Sequence, residues 1–345
     1  MNSNPSQSDR STTANVGVVG LGKMGLLHTG IISSIPGVSV TAVSEKETFL
    51  IAAARALLPK RIAVYKDYQK MVSEEQLDAV FITTPIGTHV EVVNDLLKLN
   101  KDLSLFVEKP LGASYDQAKN ACEVAARSRG VYMVGFQKRY SPVFQKAKQL
   151  IEQNLQGTPI FYRAYCYSSD VLREGHAWRF HKSTGGVLLD LAPHLLDLLI
   201  WFFGEPTTTL AVKKRVYSSE VDDYVHAIMS YESGLQGHID ACWSISNFRL
   251  PEFSIQIHGK NGILTVTDDY VKFSPGRGSG NMGGQTYYKQ SFNTSPSFLL
   301  ADADYTMEDI SFLNSIGTQT NPDPDFAQAA KVNALIDRIL ESAQG

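Results

Sequence analysis

Three residues of this chain, Lys109, Asp190 and His194, are of the types that move protons and stabilise oxyanions. Between Leu188 and Phe203 nearly every side chain is apolar, and the exceptions are Asp190, His194 and Asp197. On a helix their i, i+4, i+7 spacing makes one stripe on one face. Such a stripe costs desolvation free energy unless its groups are paired. One reading is an Asp–His hydrogen bond that braces the domain. The favoured one is a histidine held by a carboxylate and poised near neutral pH as a general base. Pro193 is compatible with a helix starting near Asp190, because a first-turn N–H needs no intrahelical partner. Lys109 closes the run Leu105-Phe106-Val107-Glu108-Lys109-Pro110. A lysine at the end of a buried strand can hydrogen-bond a substrate hydroxyl and stabilise the developing alkoxide. In other settings it would simply snorkel to water.

A second constellation points to a dinucleotide. Gly20-Leu21-Gly22-Lys23-Met24-Gly25 fits G-x-G-x-x-G. Gly20 permits a tight turn off a strand, Gly22 lets backbone approach a pyrophosphate, and Gly25 lets a helix pack close to the sheet. Lys23 and Met24 open that helix. The motif gains weight because it follows an apolar strand and opens a helix in the first βαβ unit. Glu45 comes twenty residues after Gly25, where a carboxylate would accept from the adenine ribose 2′-hydroxyl and repel a 2′-phosphate. That favours NAD. Lys46 can instead pair with such a phosphate, so NADP stays open. Thr83, Thr84, Pro85 and His89, with Glu108 and Lys109, lie where carboxyl ends of parallel strands face a ligand crevice, and are assigned to the nicotinamide half.

The surrounding pattern supplies the frame. Short Val/Ile/Phe-rich runs at 16–19, 38–43, 61–65, 80–83, 103–107 and 131–135 read as strands buried on both faces. Helical stretches at 24–35, 47–58, 88–99 and 114–129 separate them, which predicts a doubly wound parallel sheet. Beyond Phe136 come a helix at 144–153, an aromatic strand at 161–167 and an apolar helix at 190–203. Two hairpins follow, turning at Glu232-Ser233-Gly234 and at Gly259-Lys260-Asn261-Gly262. The expected class is α/β: an N-terminal Rossmann domain over 15–136, then an α+β domain over 137–345 with an open, mainly antiparallel sheet. Residues 1–14 read as a disordered tail, 274–297 as a mobile loop, and 326–342 as a final helix packing back on the first domain.

Composition limits the partners. Thirty-two basic and 35 acidic residues leave a net charge of −3, which gives no reason to expect nucleic acid or an anionic membrane. No apolar run reaches the roughly 18 residues of a membrane-spanning helix. The N-terminal stretch lacks signal- and transit-peptide patterns. Cys122, Cys166 and Cys242 form no Cys-x-x-Cys pair, so neither disulfides nor a metal site are expected, and a cytoplasmic setting fits.

Taken in order, these motifs resemble the glucose–fructose oxidoreductase / inositol dehydrogenase / rhizopine-catabolism family from about Val16 to the final helix. The resemblance rests on Gly20/Gly22/Gly25, Thr84-Pro85 with His89, and Glu108-Lys109-Pro110. It continues through Gly135-Phe136, Arg139-Tyr140, Trp178-Arg179 and Gly185-Gly186-Val187-Leu188-Leu189-Asp190 with His194 and Asp197. It implies that Lys109, Asp190 and His194 flank the substrate carbinol. His194 would be the base, Asp190 would orient it, and Lys109 would polarise the oxygen, although members differ over which group takes the proton. It further implies a homodimer or homotetramer formed through the open sheet. Leu191-Ala192-Pro193 departs from the glycine that many members carry between Asp and His, which would narrow the pocket. Arg139, Tyr165, Trp178 and Arg179 join the catalytic three as candidate substrate contacts, while Tyr165 and Trp178 also suit a plain core role. The expected reaction is hydride transfer between NAD(P) and a secondary hydroxyl, or ketone, of a sugar, sugar derivative or cyclitol. Two alternatives remain open: a non-catalytic nucleotide-sensing regulator of the same fold, and a closed-cycle oxidoreductase that never releases its cofactor.

Overall fold

The computed structural model describes residues 14–173, 175, 178–277, 283–289 and 303–344. The expected tail, apart from Ala14, lies outside the described residues, as do 278–282 and 290–297 of the expected loop.

The first domain runs β1 (Ala14–Val19), α1 (Lys23–Ile32), β2 (Val38–Ser44), α2 (Thr48–Leu57), β3 (Ala63–Tyr65), α3 (Tyr68–Glu74), β4 (Ala79–Ile82), α4 (His89–Leu99), β5 (Ser104–Glu108), α5 (Tyr115–Ala125) and β6 (Tyr132–Gly135). All pairings are parallel, in the order β3-β2-β1-β4-β5-β6. Every residue of β4 and β5 is buried, as strands covered by helices on both faces must be. The strand order reverses between β1 and β4, so ligands are expected outside the carboxyl ends there. Those ends carry the glycine motif, Thr83-Thr84-Pro85 and Glu108-Lys109.

The second domain continues α6 (Pro142–Glu152), β7 (Pro159–Tyr167), α7 (Val187–Asp190), α8 (Pro193–Phe203), β8 (Thr208–Lys214), β9 (Tyr224–Ser230), β10 (Gln236–Cys242), β11 (Glu252–Gly259), β12 (Gly262–Thr267), β13 (Tyr270–Pro275), β14 (Gln285–Tyr288), α9 (Ala303–Thr318), α10 (Phe326–Ser342) and β15 (Ala343–Gln344). Its sheet has the order β14-β13-β12-β11-β7-β10-β9-β8-β15. Pairing is antiparallel except for β7 with β10 and β8 with β15. Side chains alternate between faces along a strand. Tyr162, Ala164 and Cys166 of β7 are therefore buried on the face that carries α6 and α8, while Phe161, Arg163, Tyr165 and Tyr167 occupy the other.

The last elements return to the first domain. A capping box of Asp325 and Gln328 starts α10, which packs against α5, α8 and β8. Asn333 donates to the Gly112 carbonyl at 2.7 Å, and Asp337 accepts from the Tyr115 amide at 2.8 Å. α9 lies on α1.

Two local expectations are corrected. Within the expected loop 274–297, Gln285–Tyr288 form β14, paired antiparallel with β13. The apolar helix is broken between Asp190 and Pro193, where the Ala192 amide reaches back to Val187 instead of continuing the ladder. Pro193, without an N–H, begins a new helix. Asp190 and His194 therefore sit on two different helices.

Candidate active site

The glycine turn has the shape a dinucleotide requires. Gly20 has φ +92°, which an L side chain rarely adopts, and its amide donates to Ser44 at 2.8 Å. A Cβ on Gly25 would lie 1.9 Å from the Gly20 carbonyl oxygen. Gly22 caps α1 without a side-chain hydrogen bond, and a Cβ there would meet nothing within 4 Å. The first turn of α1, with Lys23 exposed and Met24 half-buried, thus presents backbone N–H groups to open space. Uncapped helix N-termini of this kind attract phosphates. Thr83 Oγ1 donates to Gly20 O at 2.7 Å and fastens the turn to the end of β4. These residues fit NAD. Gly25→Ala is expected to lower NAD affinity at least tenfold, because the turn must move to admit a methyl group; calorimetric titration checks it, and wild-type affinity would contradict it.

Glu45, just beyond β2, accepts from Leu21 N at 2.7 Å through Oε2. Through Oε1 it accepts from Lys46 N at 2.7 Å and Glu47 N at 3.0 Å. A carboxylate has about four lone-pair sites, so one remains for a ribose hydroxyl. The Lys46 side chain is exposed.

The remaining groups converge beyond β4 and β5. Lys109 Nζ donates to the Asp190 carbonyl at 2.6 Å and lies 3.7 Å from its Oδ1. The Asp190 Oδ2 is 3.5 Å from the Arg179 guanidinium. Asp190, at the end of α7, thus holds two cations from two domains. His194 follows in the first turn of α8, edge-on to Phe136 and Phe253. Its Nδ1 is buried and makes no hydrogen bond with any described residue. Burial, then the charges of Lys109 and Lys138, push its pKa well below the ordinary 6.5. The expected orientation of His194 by Asp190 is therefore not seen. Asp190 instead orients Lys109.

Other expectations fall elsewhere. His89 is buried, its Nδ1 2.9 Å from Pro110 O and its Nε2 2.7 Å from Thr84 O. Burial lowers its pKa below 6.5, against the two carbonyls, which favour the charged ring, and the ring bridges the ends of β4 and β5. Thr84 accepts from Thr88 at 2.9 Å, and Pro85 caps the turn Ile86–Thr88. Arg139, expected at the substrate, is turned inward. Its Nε and Nη2 donate to Asp197 at 2.8 and 2.7 Å, and Nη1 donates to Asp323. Asp197 thus faces Arg139, and His194 Nδ1 makes no hydrogen bond to it. Tyr165 lies on the open face of the sheet, bonded to Glu252 at 2.6 Å and stacked on Tyr167. Its neighbours Ala164 and Cys166, not Tyr165, face the layer that contains His194. The Trp178 side chain lies outside the described residues.

Two groups escaped the sequence reading, Lys138 and His28. Lys138, ion-paired with Asp268 and 4.6 Å from the Phe253 ring centre, adds positive charge beside His194. Glu108 accepts from its neighbour's amide, Lys109 N, at 3.0 Å, and from behind it is met by buried His28 of α1 at 3.2 Å. His28 had one legible signal, its place three residues after Gly25 in a helix that must pack on the sheet.

Residues 14–136 match a family model described as an oxidoreductase family with an NAD-binding Rossmann fold, and residues 144–265 match the GFO/IDH/MocA C-terminal domain. The chain belongs to the GFO/IDH/MocA family. It is accordingly an oxidoreductase that uses NAD, and the resemblance carried by its motifs is borne out. The chain is 27% identical over 288 residues to the rhizopine catabolism protein MocA of Rhizobium meliloti, covering 77% of this chain and 88% of that one. It is 25% identical over 234 residues to the scyllo-inositol 2-dehydrogenase (NAD(+)) of Bacillus subtilis, covering 65% and 66%. In fold it is similar to a levoglucosan dehydrogenase solved with NADH and levoglucosan, with a TM-score of 0.83, 22% identity and coverage of 95% and 96%.

Proposed function

We propose that this GFO/IDH/MocA oxidoreductase oxidises a secondary hydroxyl of a cyclitol, sugar or sugar derivative with NAD, or runs the reverse reduction. The observation that carries the reading is the meeting of Lys109, Asp190 and Arg179 beyond the carboxyl end of β5, with buried His194 close enough to feel the charge of Lys109. The names of the relatives, a rhizopine catabolism protein and a scyllo-inositol dehydrogenase, point to the same substrate class.

NAD, when bound, supplies the acceptor for the hydride that leaves the carbinol carbon. Lys109 Nζ donates a hydrogen bond to the substrate oxygen and stabilises it as negative charge develops. His194, kept neutral by burial, takes the hydroxyl proton on a ring nitrogen. The Asp190 carbonyl and carboxylate hold Lys109 in place. Glu45 favours NAD over NADP, because its carboxylate repels a 2′-phosphate. The open face of the second sheet, with Tyr165 on Tyr167 and Phe161 on His258 as stacked pairs, is the proposed contact of a homodimer or homotetramer. Among the described residues no helix is long and apolar enough to cross a membrane. The three cysteines are free, which suits a reducing compartment such as the cytoplasm.

The test is absorbance at the reduced-nicotinamide band while inositols, sugars, sugar acids and nucleotide sugars are offered with NAD or NADP. A rise with one polyol, faster with NAD than with NADP, is expected. Glu45→Ala should narrow that preference by about tenfold, the weight of roughly 1.4 kcal/mol. A preference for NADP in the wild type would overturn the role of Glu45.

A further inference from the structure

Behind the Glu108-Lys109 corner lies a buried group of acids that the proposed reaction does not use. His28 of α1 is fully buried, ringed by Phe81 at 5.4 Å and Phe106 at 5.1 Å between ring centres. Its Nδ1 lies 2.8 and 3.0 Å from the two carboxylate oxygens of Asp309, and its Nε2 lies 3.2 Å from Glu108. Beside Asp309 on α9 stands Glu308, 0% exposed, and neither of its carboxylate oxygens makes a hydrogen bond with any described residue. One donor atom each of His28, Glu308 and Asp309 lies within 4.8 Å of the others.

This arrangement is costly as it stands. Three carboxylates, from Glu108, Glu308 and Asp309, share one imidazole in a pocket walled by aromatic rings. Buried charges need partners, and a buried acid left neutral still needs an acceptor for its proton. Glu308 has neither among the described residues.

We infer that His28 Nδ1, Glu308 and Asp309 form a binding site for a first-row divalent cation, zinc foremost. One imidazole nitrogen with two carboxylate oxygens is a donor set that zinc accepts. Two donors each about 2.1 Å from one ion stand ~3.4 Å apart in a tetrahedral shell, which small side-chain rotations reach from the present spacing. The ion replaces the Nδ1 proton and the Glu308 carboxyl proton, both of which pass to solvent, and Nε2–H donates to Glu108. A carboxylate on the far nitrogen of a ligating histidine fixes its tautomer and orientation. Glu108 would then be held from behind by the site and in front by the Lys109 amide. The ligands come from α1 and α9, 281 positions apart at the His28–Asp309 pair, so no local spacing in the sequence announces them.

The experiment uses the full chain, stripped with a chelator and titrated calorimetrically with zinc, manganese and magnesium chlorides, with melting followed in parallel. One zinc per chain is expected, with a raised Tm, and Glu308→Gln should weaken it at least tenfold. Asp309→Asn should weaken it comparably, which keeps the test available if one variant folds poorly. The absence of stoichiometric binding by the wild type, with Tm unchanged by all three ions, would overturn the proposal and leave Glu308 as a buried neutral acid. Wild-type affinity retained in both variants would overturn it equally, by placing the ion elsewhere.

Discussion

Lys109→Ala should lower kcat by about 10²–10³-fold or more, the cost of removing one preorganised donor from a developing oxyanion, while NAD affinity stays within a few fold. The expectation follows from how Lys109 is held. Its Nζ is fixed by the Asp190 carbonyl at 2.6 Å, on a strand end that faces the crevice. The glycine turn and the first turn of α1, which fit the pyrophosphate, are elsewhere on the crevice rim. Steady-state rates together with calorimetric NAD titration separate the two effects. Full turnover in the variant would remove the lysine from the chemistry, and a parallel collapse of NAD binding would make it a cofactor ligand.

His194→Asn should cost a comparable ~10²–10⁴-fold in kcat/KM, the range for a lost general base, and its signature is in the pH profile. A base must be unprotonated to act, so kcat/KM falls on the acid side as pH drops through its pKa in the free enzyme. Burial, with Lys109 and Lys138, holds that pKa well below 6.5. The wild-type profile should therefore stay flat through 6.5 and fall only below it. Lys138→Gln removes one of the nearby charges and should move the acid limb upward. An acid limb above 6.5 in the wild type, or one unmoved by Lys138→Gln, would contradict the assignment. A histidine that only braces the core would change stability in the Asn variant without altering the shape of the profile.

How far the site could be read from sequence depended on the range of the interactions. The glycine turn and the strand ends were legible because each is built from contiguous residues whose spacing follows from backbone geometry. Glu45 was legible for the same reason, at a fixed distance along one βαβ unit. The Asp190–His194 pairing failed because a continuous helix was assumed across Pro193. The break at Ala192 separates the two residues, and Asp190 turns to Lys109 and Arg179 instead. The ion pairs of Arg139 with Asp197 and Asp323 were not legible, because nothing local reveals them. The place of Tyr165 on the open face was implicit in β alternation, since Ala164 and Cys166 claim the buried face. α9 was missed because Asp304, Glu308 and Asp309 occupy buried positions where an amphipathic helix would show apolar residues.

The central claim, that Lys109 and His194 carry out dehydrogenation on a polyol, is tested most directly by a single turnover. Wild type, Lys109→Ala and His194→Asn, each saturated with NAD, would be mixed with the responding polyol and followed at the reduced-nicotinamide band. A rapid rise in the wild type, slowed by about 10² or more in each variant, is predicted. Equal rises in all three proteins, or a flat trace in the wild type with NAD bound and every polyol offered, would contradict it.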